Sequence, residues 1–182
     1  NLKSIGRSAG IFDPEKLLAL NADHIMASAS ADLVAPLTPF MSEYGFEIDA
    51  GAFVESVIRT LQPRSKTLKD MAADALFYFQ DVIPYDPKAA GKFLRAAAVE
   101  PLKLLTAELQ QVDRFTKENL ETAFASVMDK TGLKLGKIAQ PVRVALTGRT
   151  ASPGIFDITE IIGKQRVLDR LRRAIEHIEN LT

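Results

Sequence analysis

The chain reads as all-α, a helical bundle or cage of two small helical subdomains. Three observations predict this. No stretch alternates apolar and polar residues for a useful length, apolar residues recur near 3.6 spacing, and the recurring segments are bracketed by caps, prolines and glycines.

In order, residues 1–12 show no helical period and are expected to be an extended lead-in. Asp13-Pro14-Glu15 then supplies an N-cap, a proline at the first helical position and an acid in the first turn. The helix that follows has Leu17, Leu18, Leu20 and Ile25 as its expected apolar side. Ser30 is a candidate cap for the next helix, with Leu33, Val34, Leu37, Phe40, Met41 and Tyr44 on its stripe, shortened or kinked by Pro36 and Pro39 and stopped by Gly45. Asp49 is expected to open a third, carrying Phe53, Val54, Val57, Ile58 and Leu61 and ending at Gln62 before Pro63. Ser65 or Lys66 leads into a fourth, whose apolar face is Leu68, Met71, Ala72, Ala75, Leu76 and Phe79. The spacing of Phe77, Tyr78 and Phe79 favours core packing over a base-stacking platform.

Asp86-Pro87 caps a helix through Leu94, and Pro101 is expected to start the next, with Leu102, Leu104, Leu105 and Leu109. Asp113 to Thr116 reads as a hinge between two subdomains. Thr116 caps a helix through Leu120, Phe124, Val127 and Met128, closed by Gly132. The last helix is expected from about Ile158 to Glu179, with an interruption at Gly163, its core face formed by Val167, Leu168, Leu171, Ile175 and Ile178. Arg166, Arg170 and Arg173 then fall to water or a partner.

The chain's 182 residues, 47% hydrophobic and 25% charged, place it among ordinary globular proteins rather than disordered ones. No run of 18 apolar residues spans a membrane, and no basic segment leads into an apolar core as in a secretory signal. Zero cysteines exclude disulfides and thiolate chemistry, which suits the cytoplasm. The opening Asn1-Leu2-Lys3 reads as a cut through a longer polypeptide.

Net charge is zero, yet the cations are gathered. From Leu133 to Thr159, Lys134, Lys137, Arg143 and Arg149 meet no carboxylate until Asp157, and from Arg59 to Lys69 every charged residue is basic. Such clustering attracts a polyanion without making the protein basic overall. Between helices, Thr147 to Gly154 is too rich in Gly, Pro and hydroxyls to be helical and is expected to form a tight exposed loop, with Ile155 and Phe156 as apolar surface beside it. Backbone groups, a hydroxyl, an apolar wall and cations suit an unstacked RNA base. The alternative is a helix connector with a buried Phe156 and a solvated basic face.

Catalytic signatures are missing. Neither a P-loop nor a dinucleotide fingerprint appears, no serine lies in a G-x-S-x-G setting, and His24 and His177 are too far apart to begin a metal site. The residues therefore describe a binding module with no catalytic residue, no metal and no cofactor of its own.

The blocks LKLGKIAQPVRVALTG and SPGIFD, preceded by LQPRSKTLKD and FDPEKLLALN, resemble the C-terminal half of bacterial glutamyl-tRNA synthetases, class I enzymes, over essentially the whole chain. The resemblance implies a non-catalytic, tRNA anticodon-binding part of an enzyme whose upstream domain uses ATP with Mg to charge tRNA(Glu). It also implies a lead-in and connecting helix over 1–29 and anticodon-binding subdomains over 30–112 and 113–182. Arg64, following the proline of LQPRSKTL, is similar to the family's reader of the third anticodon base, expected to be cytosine. Ser152, Pro153, Gly154 and Ile155 match the loop that reads the others, and Arg143 matches a base or backbone contact. Many members carry threonine where Ser152 stands. Lys134, Lys137, Arg149, Arg166 and Arg170 are the expected contacts to the tRNA backbone. The partner is expected to be tRNA(Glu), with no membrane and a monomeric protein; the competing class is a helical protein-interaction module whose basic patches meet an acidic partner.

Overall fold

The computed structural model describes residues 13–181, and the expected lead-in over residues 1–12 lies outside them. Among the described residues every regular element is helical. The α-helices are α1 (Pro14–Ala27), α2 (Val34–Ser42), α3 (Ala52–Leu61), α4 (Leu68–Phe79), α5 (Pro87–Phe93), α6 (Ala96–Gln111), α7 (Lys117–Thr131), α8 (Leu135–Thr147), α9 (Ile155–Ile162) and α10 (Lys164–Glu179). Short 3-10 turns cover Ser30–Leu33 and Gln62–Arg64.

Several starts follow from local chemistry. The Asp13 carboxylate accepts from the amides of Glu15 and Lys16, and Asp86 accepts from Ala89, each ahead of a proline. Gly132 and Gly148 end α7 and α8 with left-handed backbone at φ +68° and +73°. Other starts differ from expectation. Ser30 belongs to a 3-10 turn and caps nothing, and α3 begins after an extended Gly51 rather than at Asp49. Thr67, not Ser65 or Lys66, caps α4: its hydroxyl accepts from the Asp70 amide and donates to the Asp70 carboxylate. Ser65 is buried, with its hydroxyl donating to Leu61. Pro101 lies inside α6, which already starts at Ala96, because the missing amide costs one hydrogen bond that the packed second turn tolerates. At Gly163, φ +83° divides the expected last helix into α9 and α10.

Helices α2, α3 and α4 pack on one another, while α6 packs on α7, α8 and α10, and α5 on α8. The chain is non-helical from Val112 to Thr116, as expected. Packing joins α5 and α6 to α7–α10 and α3 to α9, on both sides of 113–116. On α1 only Ile25 is buried; Leu17, Leu18 and Leu20 are exposed, contrary to the apolar side expected of them.

The strongest departure is Arg170. It is 1% exposed, and its guanidinium donates to the carbonyls of Leu146 near the end of α8 (2.6 Å), Phe77 in the last turn of α4 (2.7 Å) and Gln80 just beyond (2.5 Å). Carbonyls at helix C-termini have no amide partner within the helix, and the guanidinium brings donors and positive charge to the negative end of the dipole. One helical turn to either side, Arg166 donates to Tyr78 and Arg173 to Asp81. Burial, then the charge of Arg166, pushes the Arg170 guanidinium down to about 10, so it stays charged at neutral pH. Arg170 is therefore not available to tRNA. Its stripe on α10 is mainly adhesive between helices.

Arg170→Met leaves two buried carbonyls and one half-buried carbonyl without donors and is expected to cost about 3 kcal/mol, from desolvation of roughly 1–3 kcal/mol per orphaned group partly relieved by relaxation. Urea unfolding checks this, and a variant as stable as the parent rules the clamp out. Gly148→Ala meets both a positive φ and the Pro84 carbonyl oxygen, which stands where the added carbon would go. It should lower stability by about 2 kcal/mol or more in the same measurement, since strain at such positions costs of order 1–3 kcal/mol before any clash.

Candidate nucleic-acid interface

Arg64 stands at the end of a pinned turn. Pro63 stops α3, and buried Gln62 donates from its side-chain amide to the carbonyls of Ile25 (2.8 Å) and Ser28 (2.9 Å), tying the turn to the end of α1. The Arg64 side chain is exposed, and among the described residues its guanidinium makes no hydrogen bond or ion pair. Its planar donor fork is open to a ligand.

The second half of the site follows α8. The Thr147 hydroxyl donates to the Arg143 carbonyl at 2.8 Å, and the carbonyl of Gly148 accepts from the Asp86 amide at 2.9 Å, which seats the loop on the turn before α5. Ser152 and Pro153 are half-buried and Gly154 is exposed at the start of α9. Ile155 is buried at 7% and Phe156 packs edge-on against Phe124 with ring centroids 5.1 Å apart. Both side chains belong to the core rather than to the free apolar surface expected beside the loop.

The two halves meet. A cleft of about 490 Å³ is lined by Arg64, Leu61, Asp74 and Phe77 on one side and by Thr147, Arg149, Ser152 and Pro153 on the other. An adjoining groove of about 540 Å³ runs along Arg59, Thr60, Pro63 and Arg64 to Ser152, Pro153, Gly154 and Asp157. Arg64, Ser152 and Pro153 line both. Ser152 lies 88 positions after Arg64 in sequence, and packing closes that gap.

The remaining expected residues take different stations. Arg143 is half-buried and spends its Nη1 on the loop: it donates to the carbonyls of Ser152 (3.2 Å) and Pro153 (2.7 Å) and to the Ser152 hydroxyl. Burial, then the charge of Arg64, lowers its pKa. Arg149 reaches across the cleft to Asp74 at 2.7 Å, an exposed pair. Lys134 and Lys137 are exposed at the start of α8, roughly 20 Å from the loop at its other end by the rise of a 13-residue helix. Arg166 is half-buried against the Tyr78 carbonyl.

Sequence reasoning missed the acids and the aromatic of the site. Asp74, Asp86 and Phe77 line the cleft, and Asp157 the groove. Asp86 carried a visible signal as a cap, but nothing local marks Asp74, whose partner lies 75 positions away.

Comparison with known proteins decides the family. The model of the "Anticodon binding domain" family matches residues 31–175. The chain belongs to the anticodon-binding domain family. This domain is 50% identical over all of its length to a glutamate-tRNA ligase of Desulfosudis oleivorans and 46% identical over 98% of its length to one of Syntrophobacter fumaroxidans. It spans 39% and 38% of those relatives, so it corresponds to a part of them. Its fold matches a crystal structure of a glutamate tRNA ligase from Elizabethkingia meningosepticum with a TM-score of 0.87, over 98% of this chain and 35% of that one, at 23% identity.

Proposed function

We propose that this anticodon-binding domain reads the anticodon of tRNA(Glu) for a longer cytoplasmic, monomeric glutamate-tRNA ligase. In that protein the part beyond this domain uses ATP with Mg to join glutamate to the tRNA. One observation carries the proposal: the unpaired donor fork of Arg64 lines the same cleft and groove as the Ser152-Pro153 turn. The fork supplies parallel hydrogen bonds to the acceptors of a cytosine edge, and the turn takes a neighbouring splayed base. The chemistry of ligation is remote from it. Among the described residues no group of His, Cys, Asp or Glu is arranged to hold a metal ion, and no helix is long and apolar enough to cross a membrane.

The cations divide by availability. Arg64, Arg149, Lys134 and Lys137 are exposed and serve the RNA; Arg170 is spent inside the fold. That expenditure removes Arg170 equally from any outward patch for an acidic protein partner.

Arg64→Gln replaces a pure donor by a group that both donates and accepts. It should relax discrimination between tRNA(Glu) and tRNA(Gln), losing about 1–3 kcal/mol for the favoured base. Fluorescence titration with the two anticodon stem-loops decides: unchanged affinities for both remove Arg64 from base reading. Binding should also weaken with salt, log K falling by roughly 0.7 per single-strand phosphate neutralised. Arg149→Ala should flatten that slope by about one such step, whereas Arg170→Lys leaves it where it was. An equal slope in the parent and the Arg149 variant takes Arg149 off the phosphate path.

A further inference from the structure

Given the anticodon-reading role proposed above, we infer that Arg143 is a positioning residue that fixes the Ser152 hydroxyl as a hydrogen-bond acceptor, so that the base seated at this turn is recognised through its own N–H donor. Arg143 lines neither the cleft nor the groove. Its Nη1 is occupied by the Ser152 carbonyl, the Pro153 carbonyl and the Ser152 hydroxyl, all within the turn. A guanidinium has no acceptor, so the hydroxyl oxygen must accept from it. The hydroxyl proton then points to the Pro153 carbonyl, 3.0 Å away. A hydroxyl oxygen has two lone pairs and one proton. With the proton and one lone pair engaged, the second lone pair remains, on a residue that lines both the cleft and the groove.

The site therefore has two walls of opposite polarity. Arg64 offers donors alone and selects a base edge with acceptors; the held hydroxyl of Ser152 offers an acceptor and selects an imino or amino N–H. Without Arg143 the hydroxyl is free to rotate. A rotating hydroxyl donates as readily as it accepts, so the turn still touches a base but no longer distinguishes its edge. Arg143 thus acts on specificity through Ser152.

The test uses the whole chain and four anticodon stem-loops: the cognate one and three in which the edge N–H of one anticodon base is methylated. The parent protein should lose about tenfold in affinity for one of the three, the value of a single well-formed hydrogen bond. Arg143→Met and Ser152→Ala should each bind that loop and the cognate loop alike, while still telling apart the base whose discrimination Arg64→Gln abolishes. Arg143→Lys keeps the charge but not the planar fork and should also lose the distinction. Three results overturn the inference: Arg143→Met keeps the tenfold difference, Arg143→Lys restores it in full, or Arg143→Met weakens all four loops equally in a salt-dependent way, the mark of a phosphate contact. If thermal melts show that Arg143→Met does not fold, Ser152→Ala carries the test, and a retained difference there overturns it equally. Failure of the anticodon-reading role is a separate outcome, in which the parent itself binds loops of unrelated anticodon with equal affinity.

Discussion

A buried cation with no ion pair of its own among the described residues ties α10 to the ends of α4 and α8. Arg170 answers the carbonyl ends of α4 and α8 at once. Burying such carbonyls without donors is costly, and burying a guanidinium without acceptors is costlier still. Each need meets the other. Most of the donors are used, with the Nε proton lacking a partner. Arg166 and Arg173 repeat the arrangement at the rim, where solvent shares the load. Because α4 follows the Arg64 turn and α8 precedes the Ser152 turn, the clamp between those helices also sets the gap between the two turns.

Three arginines thus take three roles according to where their helix places them. Arg170 is enclosed and holds helices, Arg143 is half-enclosed and holds a turn, and Arg64 is exposed and unspent. Around the open one lie Asp74 and Asp157, each paired with an exposed cation, Arg149 and Lys117. Exposed pairs of this kind contribute little to stability, because solvent screens them. Their larger effect is on the field. In a chain of zero net charge, carboxylates beside the cleft damp indiscriminate attraction of a polyanion, which leaves short-range hydrogen bonds to decide what stays.

Features decided within four or five residues were legible in the sequence. The caps at Asp13 and Asp86, the stop at Pro63 and the left-handed ends at Gly132 and Gly163 follow from local backbone chemistry. Features decided by a partner element were not. Leu17, Leu18 and Leu20 look like a core face until no described helix covers them, and Arg170 looks solvated until the ends of α4 and α8 arrive. Pro101 looks like a helix start because proline is common there, yet α6 carries it inside. The pairing of Arg64 with the Ser152 turn came from resemblance to a family, since no spacing in a single chain encodes a contact between distant segments. Ile155 lay in the matched block but was assigned a contact that its burial denies to the side chain.

What the fold contributes to recognition is rigidity at its reading points. The Arg64 turn is tied to α1 by Gln62 and the loop after α8 is tied to the Asp86 turn by Gly148, in each case through bonds that engage backbone carbonyls. Gly148 is needed there because any Cβ would strike the Pro84 carbonyl, so close backbone approach, rather than a loop side chain, fixes the seat. Ordering a flexible loop on binding costs about 0.5–1.5 kcal/mol per immobilised side chain. A turn already held by Arg143 avoids most of that cost, and a difference of one hydrogen bond then appears nearly undiminished in affinity. The long Arg64 side chain is the exception: its backbone is fixed but its fork makes no bond among the described residues, so any ligand has to offset the cost of ordering it. Under the proposed anticodon reading, that asymmetry predicts where selectivity should be most sensitive to temperature: at the base met by the Arg64 fork rather than at the base met by the held turn.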